Sequence, residues 1–265
     1  AYNILPDGEV LGFVDVPGHE KFIRNMLAGV AGIDLGLLVI AADDGVMPQT
    51  REHLAILDLL GIRNILIVLT KIDRVAPDDL SEVSKQVDNF LREQGHRDHA
   101  LYPVCAPKGI GIEALKEELM FRAKSRKPKV VFGYFRMAID RAFNLKGVGL
   151  IVTGMIFSGT VHKAESLMLL SHGASVRVRE IRVHNQIRAS AKAGERCALS
   201  IVGRGIGEKS IKRGTWLAHS ALHVPTKRID ANLQVLKTET NPLKHWTPTH
   251  LHIGSDHLPA RVAVL

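Results

Sequence analysis

The sequence has 265 residues, of which 46% are hydrophobic and 23% charged, with two cysteines and a formal net charge of +8. This composition excludes a disordered chain and a disulfide scaffold, and no apolar run reaches the roughly 20 residues that a membrane-spanning helix needs. Cys105 and Cys197 lie far apart in sequence, so we expect no disulfide. We therefore expect a cytoplasmic protein with no membrane partner.

The charge is divided unevenly between the two halves of the chain. Residues 1–125 hold 13 basic and 19 acidic residues, whereas residues 126–265 hold 22 basic and 8 acidic residues. A surface as basic as the second half attracts nucleic acid or another polyanion, although it is also compatible with a solvated basic face that has no partner.

The first half begins with AYNILPDGEVLGFV, which predicts a β-hairpin. Beyond it, three apolar runs alternate with three helical patterns, which predicts parallel βαβ units and an α/β fold. The apolar runs are LGLLVIAA, NILIVLT and ALYPVCA. The helical patterns are PQTREHLAILDLLG, DLSEVSKQVDNFLREQG and IGIEALKEELMFRA.

The basic segment SRKPK is predicted to be a linker, and short β-type runs separated by glycine turns follow it. These runs predict a β-barrel. A second break at HVPTKR precedes a further strand-rich piece that is too short to close a barrel. The predicted domains are therefore 1–125, 126–223 and 224–265, the last one partial.

The stretch DVPGH follows the apolar run VLGFV and places Asp15, Gly18 and His19 at the end of a predicted strand. Ligands bind at the carboxyl edge of an α/β sheet, so this turn is a candidate site. Taken alone, the stretch has an ordinary explanation as well. Asp15 can cap the next helix, Gly18 can permit the turn, and His19 can be a surface imidazole.

The run NILIVLTKIDRV places Thr70, Lys71 and Asp73 at the end of a buried strand. A carboxylate there can accept two hydrogen bonds from the N1–H and N2–H₂ edge of guanine, an edge that adenine lacks. The Lys71 stem can lie along the base. The alternative is that Lys71 and Asp73 are solvated loop residues.

DVPGH, TKID and VCAPKG each follow an apolar run, and in this order they resemble the third, fourth and fifth nucleotide-binding motifs of translational GTPases of the elongation factor Tu class. The resemblance implies GTP and Mg²⁺ as cofactors. It implies that Asp15 holds Mg²⁺ through a water, that Gly18 senses the γ-phosphate and that His19 positions the attacking water. The implied base-binding residues are Thr70, Lys71, Asp73, Cys105, Ala106 and Pro107. Two departures from the usual pattern are Thr70 in place of Asn and Cys105-Ala106-Pro107 in place of Ser-Ala-Lys.

The phosphate-binding pattern G-x-x-x-x-G-K-[ST] does not occur in the sequence. We therefore expect an α/β GTPase domain without its P-loop unit, followed by β-barrel domains, as a fragment of a longer protein. The intact protein is expected to be a GTPase, and the fragment alone to be inactive.

In the predicted barrel, the pair Asp140-Arg141 and the segment AGERCAL with Arg196 resemble the selenocysteine-specific elongation factors, the SelB type. The resemblance implies selenocysteinyl-tRNA and the ribosome as partners, with an mRNA hairpin bound through a C-terminal extension. Two guanidiniums suit this cargo because a selenol is a stronger acid than a thiol and is mostly an anion at pH 7. The alternative for Asp140 is a salt bridge with a nearby arginine on the barrel surface.

The expected function is GTP-dependent delivery of selenocysteinyl-tRNA to the ribosome. The alternatives are an elongation factor Tu or initiation-factor γ-subunit relative with other cargo, and a tRNA-binding scaffold that does not hydrolyse GTP.

Two further patterns carry weaker expectations. The run RVREIRV is predicted to place Arg177 and Arg179 on one strand face and Arg182 on the other, where they contact tRNA phosphates or protect a strand edge. His245, His250, His252 and His257 lie near one another in sequence, but no cysteine accompanies them and we do not favour a metal site.

Overall fold

The computed structural model describes residues 2–5, 10–15, 33–125, 131–235, 239–254 and 256–264. The described residues form two compact units, one up to residue 125 and the other from residue 131 onward. The predicted boundaries 1–125, 126–223 and 224–265 stay predictions. Among the described helices, none is both long and apolar enough to cross a membrane.

In its described residues the first unit contains a three-stranded parallel sheet with the strand order β3-β4-β5 and three α-helices. Its elements are β1 (Tyr2–Ile4), β2 (Val10–Gly12), β3 (Gly36–Ala41), α1 (Pro48–Leu59), β4 (Ile65–Thr70), α2 (Pro77–Glu93), β5 (Leu101–Pro103) and α3 (Ile112–Lys124). The predicted parallel βαβ units are present, and β1 and β2 form the predicted antiparallel hairpin.

Burial follows the position of each strand in this sheet. The central strand β4 buries all five residues of its run ILIVL, whereas β3 buries Leu38 and Ile40 and exposes Leu37 and Val39. Strand β3 lies at the edge of the sheet as described, whereas β4 has a neighbouring strand on each side. Helix α2 adds Val87, Phe90 and Leu91 to the core beneath the sheet. The loops that follow β3, β4 and β5 therefore meet at one edge of a well-packed sheet.

The second unit is the predicted β-barrel followed by a hairpin. Its strands are β6 (Arg136–Leu145), β7 (Gly149–Ser158), β8 (Thr160–His162), β9 (Ser166–Leu169), β10 (Ala174–Val183), β11 (Gln186–Arg188), β12 (Ser190–Lys192), β13 (Arg196–Val202), β14 (Trp216–Ala218), β15 (Thr247–Ile253) and β16 (Asp256–Val262). The strand order is β11-β10-β13-β7-β6-β14-β9, and a second pairing between β9 and β10 closes the barrel. Strands β15 and β16 form an antiparallel hairpin.

The barrel core consists of alternate residues of the long strands, as a period of two requires. In β7, for example, Leu150, Val152 and Ile156 are buried in this core. Gly154 continues the same inward series, and a Cβ placed there lies 2.1 Å from the carbonyl oxygen of Ala138 on β6. Only glycine fits at this position without a shift of the backbone.

Candidate functional site

The loop after β4 is the first candidate site. Strand β4 ends at Thr70, Lys71 takes the left-handed conformation with a φ of 58°, and a short 3-10 turn covers Ile72–Arg74. This reversal brings Asp73 toward the loop after β5. The neighbouring parallel strands thus place two of the sequence-predicted motifs side by side, as the shared sheet edge requires.

Asp73 contacts both ends of the loop after β5. Its pKa is held below the usual value, first by interaction with the Cys105 thiol and then by Lys108, whose Nζ lies 3.4 Å from Asp73 Oδ2. The carboxyl group is therefore ionised at neutral pH and is an acceptor for N–H groups. Cysteine stands at position 105 where the family pattern has serine, and its thiol is still a hydrogen-bond donor next to this carboxylate.

The loop of Cys105, Ala106 and Pro107 is held by its own backbone. The Cys105 N–H donates to the Ile110 carbonyl at 2.9 Å, and the Ile110 N–H donates to the Cys105 carbonyl at 3.1 Å. A Cβ at Gly111 lies 2.2 Å from the Pro103 carbonyl oxygen, so glycine is needed where this loop enters α3. Ala106 and Pro107 are exposed at the tip. The loop is thus fixed while its tip stays accessible.

Asp43 and Asp44 belong to the same edge and were missed in the sequence analysis. The Lys71 Nζ donates to Asp43 Oδ1 at 2.9 Å and to Asp44 Oδ2 at 3.3 Å, and Arg74 Nη1 donates to Asp43 Oδ2 at 3.3 Å. The ion pair with Lys71 lowers the pKa of Asp43, and the pKa of Lys71 is raised, first by Asp43 and then by Asp44. The sequence signal that could have identified them is the segment AADDG, which places two carboxylates directly after the apolar run of β3.

Thr70 has a structural contact at this edge. Its Oγ1 donates to the Ile40 carbonyl at 3.3 Å, and its own carbonyl accepts from the Ala42 N–H at 2.8 Å. Thr70 therefore joins the ends of β3 and β4. This contact directs its hydroxyl to the backbone of β3.

The predicted phosphate-side residues are only partly described. Asp15 is exposed a few residues beyond β2. Gly18 and His19 lie outside the described residues. Among the residues that the structure describes, no three His, Cys, Asp or Glu side chains are grouped so that they could hold a metal ion.

Asp140, Arg141 and Arg196 lie on the barrel, on strands that flank β7. The pairing of β6 with β7 shifts between Ile139 and Arg141, so Asp140 is the extra residue of a β-bulge. Asp140 accepts two hydrogen bonds from the Arg196 guanidinium, of which the one between Nη2 and Oδ1 measures 2.9 Å. Thr153 Oγ1 donates to the same carboxylate at 2.8 Å. The salt bridge considered as the alternative is therefore present.

Arg141 belongs to the same outer face of the barrel. It pairs with Thr153 across β6 and β7, while Arg196 pairs with Met155 two residues further along β7. Residues two apart on a strand share a face, so the two arginines lie on one face of the barrel. Arg141 is exposed and forms no ion pair within the described residues. We call Asp140, Arg141, Thr153 and Arg196 the barrel patch.

The expected placement of the basic strand residues is wrong at Arg182. A bulge between Val178 and Glu180 changes the alternation of β10, and so Arg177, Arg179 and Arg182 are all exposed while Val176, Val178, Ile181 and Val183 are buried. An even spacing of side chains predicts the opposite face for Arg182. A bulge adds one residue and inverts that prediction.

The histidines of the hairpin form ring contacts. The His252 and His257 ring centroids are 5.9 Å apart and the rings are stacked, and the His250 and His257 centroids are 6.3 Å apart. This is an arrangement of imidazoles packed against one another on paired strands.

Known proteins resemble this chain along its length. Residues 4–125 match the family described as "Elongation factor Tu GTP binding domain". The chain is 46% identical over 265 residues to the selenocysteine-specific elongation factor of Escherichia coli and 41% identical over 265 residues to that of Desulfomicrobium baculatum. Each match covers 100% of this chain and 42% of the relative. An elongation factor 1-alpha of Methanobrevibacter smithii is 32% identical over 257 residues, covering 90% of this chain and 61% of the relative.

Solved structures agree with these matches. A bacterial selenocysteine-specific elongation factor has a TM-score of 0.83 at 29% identity, covering 100% of this chain and 44% of the other. Elongation factor SelB from Methanococcus maripaludis, in complex with the GTP analogue GppNHp, has a TM-score of 0.84 at 29% identity, covering 95% of this chain and 56% of the other. The predicted fold class and the predicted resemblance are both confirmed.

Proposed function

The chain is related along its whole length to the selenocysteine-specific elongation factors, and on that premise we propose that it forms part of a factor that delivers selenocysteinyl-tRNA to the ribosome and hydrolyses GTP there. The observation that carries this proposal is the 46% identity over all 265 residues to the Escherichia coli factor. The chain spans 42% of the length of that relative, so cargo, ribosome and hydrolysis are properties proposed for the longer protein.

In this proposal, the loops after β4 and β5 recognise guanine. Asp73, ionised and partly exposed, accepts from the N1–H and N2–H₂ groups of the base, and an adenine leaves the carboxylate unpaired. Asp43 and Asp44 hold the Lys71 ammonium, so the Lys71 stem is extended where a base can lie along it. The loop of Cys105, Ala106 and Pro107 closes the other side of the base, and the Cys105 thiol orients Asp73.

The phosphate side of the site is assigned by family likeness. Asp15 supplies one carboxylate that holds Mg²⁺ through a water, Gly18 senses the γ-phosphate through its backbone N–H, and His19 positions the attacking water. The metal, when bound, neutralises charge on the phosphates. Asp15 is exposed and accessible to such a water. Because no P-loop pattern occurs in the 265 residues, we propose that this chain alone hydrolyses no GTP.

The barrel patch is proposed to recognise the aminoacyl group. Arg196 is already engaged by Asp140, whereas the exposed Arg141 has its guanidinium available for an anion. A selenolate is fully charged and forms an ion pair with that cation, while the hydroxyl of serine and the mostly neutral thiol of cysteine do not. Asp140 in turn can accept from the ammonium of the aminoacyl group. The patch thus selects the cargo by charge.

A second candidate function is that of a general aminoacyl-tRNA carrier, which the 32% identity to elongation factor 1-alpha favours. The barrel patch argues against it, because an arginine facing an uncharged side chain gains little. A scaffold that binds tRNA without hydrolysis is the remaining alternative. We further propose a cytoplasmic location and, for the longer protein, contact with an mRNA hairpin.

The test is a filter-binding comparison of selenocysteinyl-tRNA, cysteinyl-tRNA and seryl-tRNA with the full-length factor. The proposal predicts tightest binding of selenocysteinyl-tRNA in the presence of GTP. Equal affinity for all three tRNAs favours the general carrier, and binding that is independent of GTP favours the scaffold.

A further inference from the structure

A groove on the outside of the barrel has no role in the function proposed above. It encloses about 380 Å³ and lies where the turn between β8 and β9 meets β10. Its lining residues are Lys163, Ala164, Arg177, Val178, Arg179 and Val202. We call it the basic groove.

The basic groove is built by backbone contacts. The Ala164 N–H donates to the Val178 carbonyl at 2.9 Å, and the Val178 N–H donates to the Glu165 carbonyl at 2.9 Å. Ala164 takes a φ of 70°, a conformation that alanine rarely adopts and that surrounding contacts must maintain. The β10 bulge lies directly after Val178, whose backbone pairs with this turn. The groove is therefore a defined feature of the fold.

Three cations line the groove without a carboxylate partner. Lys163, Arg177 and Arg179 are exposed, and among the described residues none of them takes part in an ion pair. The Arg177 Nε donates to the Ala164 carbonyl at 3.2 Å, which fixes this guanidinium at the groove and uses one of its five N–H donors.

The two nearby carboxylates are engaged elsewhere. Glu165 accepts from the His162 N–H at 2.8 Å, and Glu180 accepts from Arg182 Nε at 2.6 Å. The positive charge of the groove is therefore not neutralised by its own surroundings.

The lining identifies the class of ligand. Three cations without a carboxylate partner suit phosphate groups, and the lining contains no aromatic side chain on which a base could stack. The volume exceeds that of one phosphate and is accessible from solvent. A sugar-phosphate backbone has this chemistry.

We propose that the basic groove binds the phosphodiester backbone of RNA at a point separate from the barrel patch. Arg196 begins β13 and Val202 ends it, so the two sites lie about 20 Å apart along this strand. The choice of RNA as the occupant rests on the proposed function. The charge and geometry of the groove do not.

The test uses the full 265-residue chain and a short fluorescein-labelled RNA duplex that carries no aminoacyl group, titrated at several salt concentrations. The double variant Arg177→Gln/Arg179→Gln is expected to bind about tenfold more weakly at low salt, and its salt slope to fall by about two because two phosphate contacts are lost. The matched control is Arg182→Gln on the same strand and face. Its guanidinium is already paired with Glu180, so binding is expected to change less than about twofold.

Thermal unfolding of each variant confirms that the barrel is intact, and the single variants Lys163→Gln and Arg177→Gln give the same readout if the double variant does not fold. Failure of the wild-type chain to bind the duplex, an unchanged salt slope in the variants, or an equal loss in Arg182→Gln overturns the proposal. The proposal is also overturned if the double variant loses binding to phosphatidylserine vesicles while its binding to the RNA duplex is unchanged. The duplex has no aminoacyl group, so this test of the basic groove is independent of whether the barrel patch selects the cargo.

Discussion

Lys71 and Asp43 form an ion pair, with Nζ 2.9 Å from Oδ1, that joins the loop after β4 to the loop after β3. Asp43 also contacts Arg74, so one carboxylate holds the cations on both sides of Asp73. The loop that we propose to read guanine is thus oriented by a residue that need not touch the nucleotide.

Asp43→Asn is expected to weaken the binding of GDP and GTP to the full-length factor by a similar factor, about threefold to tenfold, because Lys71 loses its orienting charge. Titration with a fluorescent guanine nucleotide measures both affinities. Asp44→Asn is the control, since Asp44 makes the longer contact of 3.3 Å and has the more exposed side chain, 56% against 25% for Asp43. A larger effect of Asp44→Asn contradicts the assignment.

The stability of the first unit is expected to fall in acid partly through Asp43 and Asp73. Both carboxyl groups have pKa values below the ordinary 3.8, Asp43 because of Lys71 and Asp73 because of Cys105 and Lys108. Their contribution is fully present above pH 3.8 and is lost as the pH falls through the lower pKa values of the folded chain. Urea unfolding at several pH values below 5 tests this. The double variant Asp43→Asn/Asp73→Asn is expected to lose less free energy of unfolding than the wild type over that range.

Cys197 is expected to resist alkylation in the folded protein. Burial raises the pKa of its thiol to about 12, and its Sγ lies 3.6 Å from Met137 Sδ in the barrel core. At pH 8 the thiol is neutral and inaccessible, so iodoacetamide should label it only after unfolding. Because the folded form favours the neutral thiol, this group also contributes stability that is lost as the pH rises above the ordinary value of 9. Rapid labelling of native Cys197, read by peptide mass spectrometry, contradicts the described packing.

Gly154→Ala is expected to destabilise the barrel by about 1–3 kcal/mol, because the new methyl group meets the Ala138 carbonyl and β6 must move. Chemical denaturation measures the loss. Gly207→Ala is the matched control, since Gly207 has a φ of −135° and a Cβ there meets nothing within 4 Å. Equal stability of the two variants is the result that this packing does not allow.

The sequence predicted the elements well and their contacts only in part. The continuous apolar run of β4 indicates a strand buried on both faces, and Asp73 and Cys105 could be assigned to one sheet edge because they follow parallel strands. The partners of Lys71 were not predicted, because AADDG matches no motif and its role depends on β3 lying next to β4.

Bulges account for the other differences. The extra residue in β10 turned Arg182 to the exposed face, and the bulge in β6 brought Asp140 to Arg196 across β7. A period-two pattern carries no information about where such a residue is inserted. The sequence-derived trio of Asp140, Arg141 and Arg196 came from family likeness, and the structure gives its members different surroundings.

We propose that Arg141 in the barrel patch selects the cargo by charge. The binding of selenocysteinyl-tRNA and seryl-tRNA to the full-length wild type and to its Arg141→Ala variant tests this proposal. The variant is expected to lose about 1.5–3 kcal/mol of binding free energy for selenocysteinyl-tRNA, the scale of a hydrogen bond to a charged group, and almost nothing for seryl-tRNA. Equal losses for both tRNAs would contradict selection by charge, because they would show that Arg141 binds the tRNA itself and not the selenolate.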